Sequence, residues 1–171
     1  MRFMRDALLT ILLLLLAAAV VGYFFTRNGL SASAEPPRLE ALLAGQIRRL
    51  AIPSHAAQQK NPMAADRNAW LQGGKMFVNE CDVCHGDDGR GKSTVGRNLY
   101  PKVPDMSQAE TQRWSDGELY FIIFNGVRYT GMPAWGHEHS PEEIWRLVSY
   151  IRRMPNLTPE DLEKVGPFAG Q

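Results

Sequence analysis

The longest feature of the hydrophobic pattern is an uninterrupted apolar run near the N-terminus. Residues 7–25 carry no charge, and a helix of that length spans about 28 Å, close to the thickness of a bilayer core. A cleaved signal peptide is the alternative, since Ala32-Ser33-Ala34 is an acceptable cleavage site. The apolar stretch of a signal peptide is shorter, however, at about 7–15 residues. The pattern therefore predicts a retained transmembrane anchor that contacts the lipid bilayer.

The charges before this run predict its orientation. Arg2 and Arg5 precede it, and positively charged flanks stay on the cytoplasmic side of a membrane. We therefore expect residues 1–6 to be a cytoplasmic N-terminus. The rest of the chain should lie on the periplasmic side of a bacterial cytoplasmic membrane.

Residues 26–65 are predicted to form a connector that contains one amphipathic helix. Apolar positions recur at helical spacing over residues 38–50, and prolines precede and follow that segment. The apolar face of this helix would pack either on a partner or on the chain's own folded domain, and the sequence leaves both open. Residues 54–65 are polar and predict a loop, with His55 in solvent.

Periodicity predicts three further helices within a folded domain over residues 66–155. The first begins at Asp66, which can cap it, and leads into residues 81–85. The others begin at Ser115 and Ser140, each of which is followed three residues later by a glutamate, the capping-box pattern. Glycine and proline mark the loops between them, and no stretch alternates as a strand does. The predicted fold class is therefore all-α.

The ends of the second and third helices are marked by residues that stop a helix. Gly126 follows the second near Phe124, and Pro155 follows the third at about Met154. Residues 156–171 are then expected to be a C-terminal tail outside the domain. The third helix should bury five apolar positions: Ile144, Trp145, Leu147, Val148 and Ile151.

The candidate chemistry lies in Cys81-Asp82-Val83-Cys84-His85, which holds the only two cysteines of the chain. Two thiols separated by two residues share one helical turn, where both can bond the vinyl groups of one porphyrin while the next histidine ligates the iron. The motif predicts one covalently attached haem c. A dithiol redox pair would follow a strand in a βαβ pattern, and none precedes it. A zinc site would need His137 and His139 as further ligands.

Charge and length narrow the class of protein further. Lysine and arginine total 19 against 18 acidic residues, so no excess of positive charge indicates nucleic-acid binding. The 171 residues suffice for one ordinary domain with an anchor and a connector. No phosphate-binding loop and no Ser-His-Asp arrangement points to an enzyme.

Residues 66–155 resemble a class I c-type cytochrome through four features in the order of that family. Gly73-x-x-x-Phe77 resembles its N-terminal helix, and Cys81–His85 its attachment site. Gly131-Met132-Pro133 resembles the loop that carries the distal ligand, and Leu147-x-x-Tyr150 the C-terminal helix face that crosses the first helix at Gly73. The resemblance implies that Cys81 and Cys84 bind the haem, with His85 as proximal and Met132 as distal ligand of the iron.

The resemblance also implies contacts around the ring. Arg97 and Asn98 lie where the family often supplies donors to a propionate, although Arg97 could equally be an ordinary solvated side chain. Met106, His137 and His139 are the alternatives for the distal ligand, and both histidines are expected at the surface. The residues expected to pack the haem edge are Tyr100, Pro101, Val103, Phe124 and Trp135.

With both axial positions filled by protein, this resemblance implies an electron carrier rather than an enzyme. The expected protein is a membrane-anchored monohaem cytochrome c in a respiratory or photosynthetic chain, possibly a subunit of a larger complex. Its expected partners are membrane redox complexes or periplasmic electron donors and acceptors. A haem-based ligand sensor or a peroxidase-type enzyme is the alternative, because each needs a labile distal ligand.

Overall fold

A computed structural model describes residues 2–29 and 31–166 of the chain. These residues form helices, short 3-10 turns and loops, with no strand among them, so the predicted all-α class is confirmed. The chain divides into two compact units, Met1–Ala34 and Glu35–Gln171. Each unit is described by itself.

The first unit is built on one long helix, α1 (Arg2–Asn28). It includes all of the predicted span over residues 7–25, and Arg2–Phe24 is long and apolar enough to cross a membrane by length and composition. Its large apolar side chains, such as Leu12 and Leu16, are exposed. Exposed apolar side chains along a whole helix fit a lipid environment. Retention of this helix in the mature protein stays a prediction.

The second unit begins with α2 (Arg38–Ala51), which confirms the predicted connector helix to within one residue. The helices that follow are α3 (Ser54–Gln58), α4 (Ala69–Glu80), α5 (Asp82–His85), α6 (Ala109–Gln112), α7 (Asp116–Asn125), α8 (Pro141–Arg153) and α9 (Pro159–Val165). Loops cover residues 86–95 and 99–108, as the glycines and prolines there predict.

The prediction of a loop over residues 54–65 is wrong in part, because α3 packs into the fold. Ala56 is buried, and a Cβ at Gly117 of α7 would lie 1.9 Å from the Ala56 carbonyl oxygen. The buried Asn61 side chain donates to the Trp145 carbonyl at 3.1 Å. His55 is exposed as expected. The folded domain therefore begins before residue 66.

The start of α4 also differs from its prediction. The residue before the helix is Asn68, and it makes no side-chain capping bond. Asp66 instead accepts a hydrogen bond from the Asn68 backbone N–H at 2.8 Å, which closes a local turn two residues upstream. An aspartate in such a turn has the same sequence signature as a helix cap, so the pattern placed the helix start two residues early.

Helices α4 and α8 cross at Gly73, as the resemblance implies. A Cβ at Gly73 would lie 2.1 Å from the Arg146 carbonyl oxygen, so only glycine lets the two backbones approach this closely. The rings of Phe77 and Tyr150 meet beside the crossing at 5.3 Å, and both are fully buried. All five apolar positions predicted for the buried face of α8 are buried: Ile144, Trp145, Leu147, Val148 and Ile151.

The starts of α7 and α8 are capped as predicted. Ser115 and Ser140 each accept a hydrogen bond from the backbone N–H of the glutamate three residues on, and each glutamate side chain accepts one from the serine N–H. Gly126 ends α7 at a φ of 65°, a left-handed conformation that glycine adopts without steric cost. Pro155 lies in a 3-10 turn directly after α8.

The prediction of a C-terminal tail is wrong for residues 156–165, because α9 packs against α4. Val165 is buried, and a Cβ at Gly74 would lie 2.3 Å from its Cγ1 atom. Asp161 accepts from the Thr158 N–H at 3.1 Å and from Arg153 at 3.2 Å. The domain therefore continues at least to Val165. Residues 167–171 lie outside the described part.

Candidate haem-binding site

A cavity of about 800 Å³ opens on the second unit. Cys81, Cys84 and His85 line it from the junction of α4 and α5, and Met132 lines it from the loop before α8. The structure thus brings the four predicted haem-binding residues to the wall of one cavity. Apolar side chains of the core complete much of the wall: Phe77, Leu119, Ile123, Leu147 and Ile151.

The cysteine motif is held as one continuous helical turn. The Cys81 N–H donates to the Phe77 carbonyl at 2.8 Å, and the His85 N–H donates to the Cys81 carbonyl at 2.9 Å. Ser93 closes the turn from outside, because its hydroxyl donates to the Val83 carbonyl at 2.7 Å. This arrangement fixes both thiols on one side of the cavity.

Gly96 completes the support of the motif, and it was not identified from the sequence. A Cβ at Gly96 would lie 2.1 Å from the Cys84 carbonyl oxygen. Its N–H donates to the Ser93 hydroxyl at 2.8 Å. The loop that runs from the motif therefore folds back on it, and the only sequence signal for this was the density of glycines.

His85 is buried at the cavity wall, and burial lowers its pKa to about 4. Its Nδ1 atom has no hydrogen-bond partner in the described structure. The imidazole is therefore neutral at physiological pH, which is the form that ligates iron. An unsatisfied buried nitrogen at a cavity wall is a feature of a ligand site.

Cys81 and Cys84 are free thiols. Burial, with a smaller contribution from the Glu80 charge, raises the pKa of Cys81 to about 12. A redox-active dithiol needs a lowered thiol pKa, because the thiolate is the reactive form. The environment of Cys81 therefore argues against the dithiol alternative.

The loop that carries Met132 is closed by its own hydrogen bonds. The Val127 N–H donates to the Met132 carbonyl at 3.1 Å, and the Met132 N–H donates to the Thr130 hydroxyl at 3.1 Å. Met132 is half-buried, whereas the alternative ligand Met106 is buried in the core and also lines the cavity. Two methionine thioethers are therefore available at the wall.

The residues predicted to surround the haem divide into two groups. Pro101, Val103 and Trp135 line the cavity. The structure does not bring the others to its wall: Arg97, Asn98, Tyr100 and Phe124. Arg97 and Asn98 are exposed, and the Asn98 side chain donates to the Thr94 carbonyl at 2.8 Å. The Tyr100 hydroxyl donates to Glu40 of α2.

His137 is exposed as expected, but the surface placement of His139 is wrong. Its side chain is only 14% exposed, and its Nε2 atom lies 2.6 Å from Glu80 Oε2. Its ring also packs on Trp135, with 5.6 Å between centroids. His139 is thus tied to Glu80, and the two histidines do not assemble a zinc site with the cysteines.

The side chains at the cavity wall fit a covalently attached haem. Two thiols on one turn, a neutral buried imidazole and a thioether line a cavity with an apolar wall. These donors match a covalently attached porphyrin with a His/Met-ligated iron. An all-α domain with such a site defines a class I c-type cytochrome.

Residues 68–151 match the family described as "Cytochrome C oxidase, cbb3-type, subunit III". This part of the chain is therefore similar to a cytochrome c domain of the cbb3 type. Domains of this family carry covalently bound haem c and transfer electrons rather than catalyse a reaction themselves.

Two curated relatives are each named "Cbb3-type cytochrome c oxidase subunit FixP". The one from Bradyrhizobium diazoefficiens is 28% identical over 83 residues, which cover 48% of this chain and 27% of the relative. The one from Azorhizobium caulinodans is 31% identical over 94 residues, which cover 52% of this chain and 28% of the relative. The chain thus spans less than a third of either relative's length.

One solved structure is also similar. In the Kuenenia stuttgartiensis reducing HAO-like protein complex, one chain matches with a TM-score of 0.49 and 25% identity, and the match covers 54% of this chain and 46% of that one.

Proposed function

We propose that this protein is a membrane-anchored monohaem cytochrome c that passes single electrons within a larger respiratory redox complex. The observation that carries the proposal is the convergence of Cys81, Cys84, His85 and Met132 on one cavity. Relatives named as oxidase subunits support the respiratory setting. When bound, haem c supplies the reversible one-electron chemistry of its iron.

Each of the four residues has a distinct role in this proposal. Cys81 and Cys84 hold the ring through thioethers, which prevents its loss. His85 would ligate the iron through its neutral imidazole, and Met132 would ligate it through a soft, neutral thioether. Such a ligand pair favours ferrous iron and raises the reduction potential.

The remaining wall residues exclude water from the ring. Leu119, Ile123 and Leu147 are buried and apolar, and a medium of low polarity disfavours the more highly charged ferric state. With His85 and Met132 both ligating the iron, the chain would leave no position open for a substrate. The chain's contribution is therefore to hold, orient and insulate the electron-carrying group.

The membrane setting belongs to the same proposal. Helix α1 would cross the bacterial cytoplasmic membrane through residues 7–25, with residues 1–6 in the cytoplasm and the haem domain on the periplasmic side. Its partners would be membrane redox complexes or periplasmic electron donors and acceptors. The length and composition of α1 support the anchor, and the arginines that precede it support the orientation.

Carbon monoxide binding to the reduced protein tests this function against its alternatives. A carrier with two protein ligands to the iron should show a c-type spectrum that carbon monoxide changes little. A ligand sensor or a peroxidase-type enzyme has a labile distal position and should bind the gas fully. Rapid, complete conversion of the isolated ferrous protein to its carbon monoxide form would contradict the carrier function.

A further inference from the structure

The connector helix α2 forms one wall of the haem cavity. Ala41, Gly45, Arg48 and Arg49 line the cavity, and residues spaced three or four apart share one face of a helix. Helix α2 precedes residues 68–151, the part that matches the cytochrome family. This wall therefore lies outside the part of the chain that matches the family.

Most of the apolar stripe of α2 lies off the cavity, and Leu42 is its one member that lines the cavity. Its other members are Leu39, Leu43, Ile47 and Leu50, all of which are more than half exposed and none of which lines the cavity. The sequence left open whether α2 packs on a partner or on its own domain. In the structure α2 contacts its own domain, through a side of the helix that is mostly small or basic and includes Leu42.

Contacts near both ends of α2 hold it at the cavity. Near its start, Glu40 accepts a hydrogen bond from the Tyr100 hydroxyl, and this bond raises the pKa of Tyr100 to about 12. Near its end, the Arg49 guanidinium lies over the Trp114 ring, 5.1 Å from its centroid. Trp114 lines the cavity, and its carbonyl accepts from Arg152 of α8. The helix is thus attached to two different loops of the domain.

Helix α2 nevertheless stands away from the opposite wall. A Cβ at Gly45 would meet nothing within 4 Å, whereas one at Gly73, where α4 and α8 touch, would meet a backbone atom at 2.1 Å. Ala41 and Gly45 therefore border open space rather than packed side chains. A flat ring can lie against such a surface without displacing a side chain.

The cavity wall carries more basic than acidic side chains. Those that line it are Arg48, Arg49, Lys102 and Arg113, against Glu80 and Glu110. Glu80 is already paired with His139, and the Lys102 side chain donates to the Arg97 carbonyl. Arg48 is half-buried, and neither it nor Arg49 forms an ion pair within the part of the chain that the structure describes. Arginine is well suited to pair with carboxylates.

We propose that α2 is the lid of the haem cavity and that Arg48 and Arg49 pair with the two haem propionates. This inference rests on the proposed function, because it requires the attached haem. Positive charges beside the propionates favour the ferrous state, because it carries one positive charge fewer than the ferric state. The two arginines should therefore raise the reduction potential.

The test compares arginine variants in the full-length, haem-loaded protein in detergent. Arg48→Gln with Arg49→Gln should lower the midpoint potential, and the difference should shrink at high salt because exposed charges are screened. Arg38→Gln is the matched control, since Arg38 lies on the same helix, is exposed and does not line the cavity. It should leave the potential unchanged. Equal potentials in all three proteins, or an equal fall in both variants, would overturn the proposal.

A conservative variant covers the case in which the double variant fails to fold. Arg49→Lys keeps the charge and should keep most of the parent potential, whereas Arg49→Gln should lower it; equal effects of the two would overturn the pairing. Covalent haem and the near-infrared band of a sulfur-ligated iron are recorded for each protein. If the parent lacks these signals, the proposed function fails; if they are present and the arginines do not move the potential, only the lid inference fails.

Discussion

Gly73 sets the distance between α4 and α8, and therefore the shape of the core beside the haem motif. Gly73→Ala would place a methyl group against the Arg146 carbonyl, and neither backbone can move aside without separating the helices. We expect a loss of about 3 kcal/mol in the free energy of unfolding, measured by urea denaturation of the haem-loaded protein. Gly22→Ala in α1 is the control, because a Cβ there meets nothing within 4 Å. A Gly73→Ala protein as stable as the control would refute the close contact.

For individual residues, hydrogen bonds to a partner nearby in sequence were predictable, whereas those to a distant partner were not. The capping boxes of Ser115 and Ser140 each lie within four consecutive residues, so the sequence alone identifies them. Asn61, in contrast, donates to Trp145, 84 positions away, and His139 meets Glu80, 59 positions away. A polar side chain with a distant partner has no local pattern that distinguishes it from a solvated one. For this reason the burial of Asn61 was not predicted, and His139 was expected at the surface.

Among the elements, α9 shows how a short helix is missed. Its seven residues are too few to show helical periodicity. The segment was therefore predicted to be a C-terminal tail. In the structure, Val165 and Asp161 are buried and hold α9 against the domain. The connector helix α2 was predicted by its apolar stripe, but the stripe says nothing of the side that meets the cavity. Helix existence was therefore predictable where periodicity was long, whereas the packing of α2 and α9 was not.

The packing of α9 can be tested through Asp161. The Thr158 N–H, assisted by Arg153, holds the pKa of this carboxyl below its usual 3.8. A lowered pKa in the folded state stabilises the protein above the usual pKa, and this stabilisation is lost as pH falls through the folded value. We expect Asp161→Asn to cost about 1 kcal/mol at neutral pH.

The cost of Asp161→Asn should shrink as the pH falls below about 4. Denaturation of both proteins across this pH range measures the difference. Glu163→Gln on the same helix is the control, because Glu163 is exposed and makes no capping bond among the described hydrogen bonds. A pH-independent cost for Asp161→Asn would contradict the charged cap.

At the scale of the whole molecule, the segment that links the two units is shorter than the connector predicted from the sequence. The sequence predicted a connector over residues 26–65, but α2 and α3 belong to the second compact unit. Only residues 29–37 separate α1 from α2, and nine residues extend over at most about 30 Å. The segment between the two helices is therefore shorter than the connector over residues 26–65 that the sequence predicted.

Retention of the anchor is the prediction on which this arrangement depends. Intact-mass measurement of the protein purified from membranes should give a chain that keeps residues 7–25, with the added mass of one haem. The span is longer than the apolar stretch of a signal peptide, so cleavage is not expected. A mature chain that begins at Glu35 would contradict the anchor, while leaving the cytochrome domain unaffected.

The central claim is that His85 and Met132 hold the iron of a covalently attached haem. The near-infrared spectrum of the oxidised protein tests it most directly, because a weak band there reports a sulfur–iron bond. Met132→Ala should lose this band, keep its haem through both thioethers and bind carbon monoxide when reduced. Met106→Ala is the matched control, since Met106 also lines the cavity, and it should retain the band. A band that survives in Met132→Ala and disappears in Met106→Ala would contradict the claim.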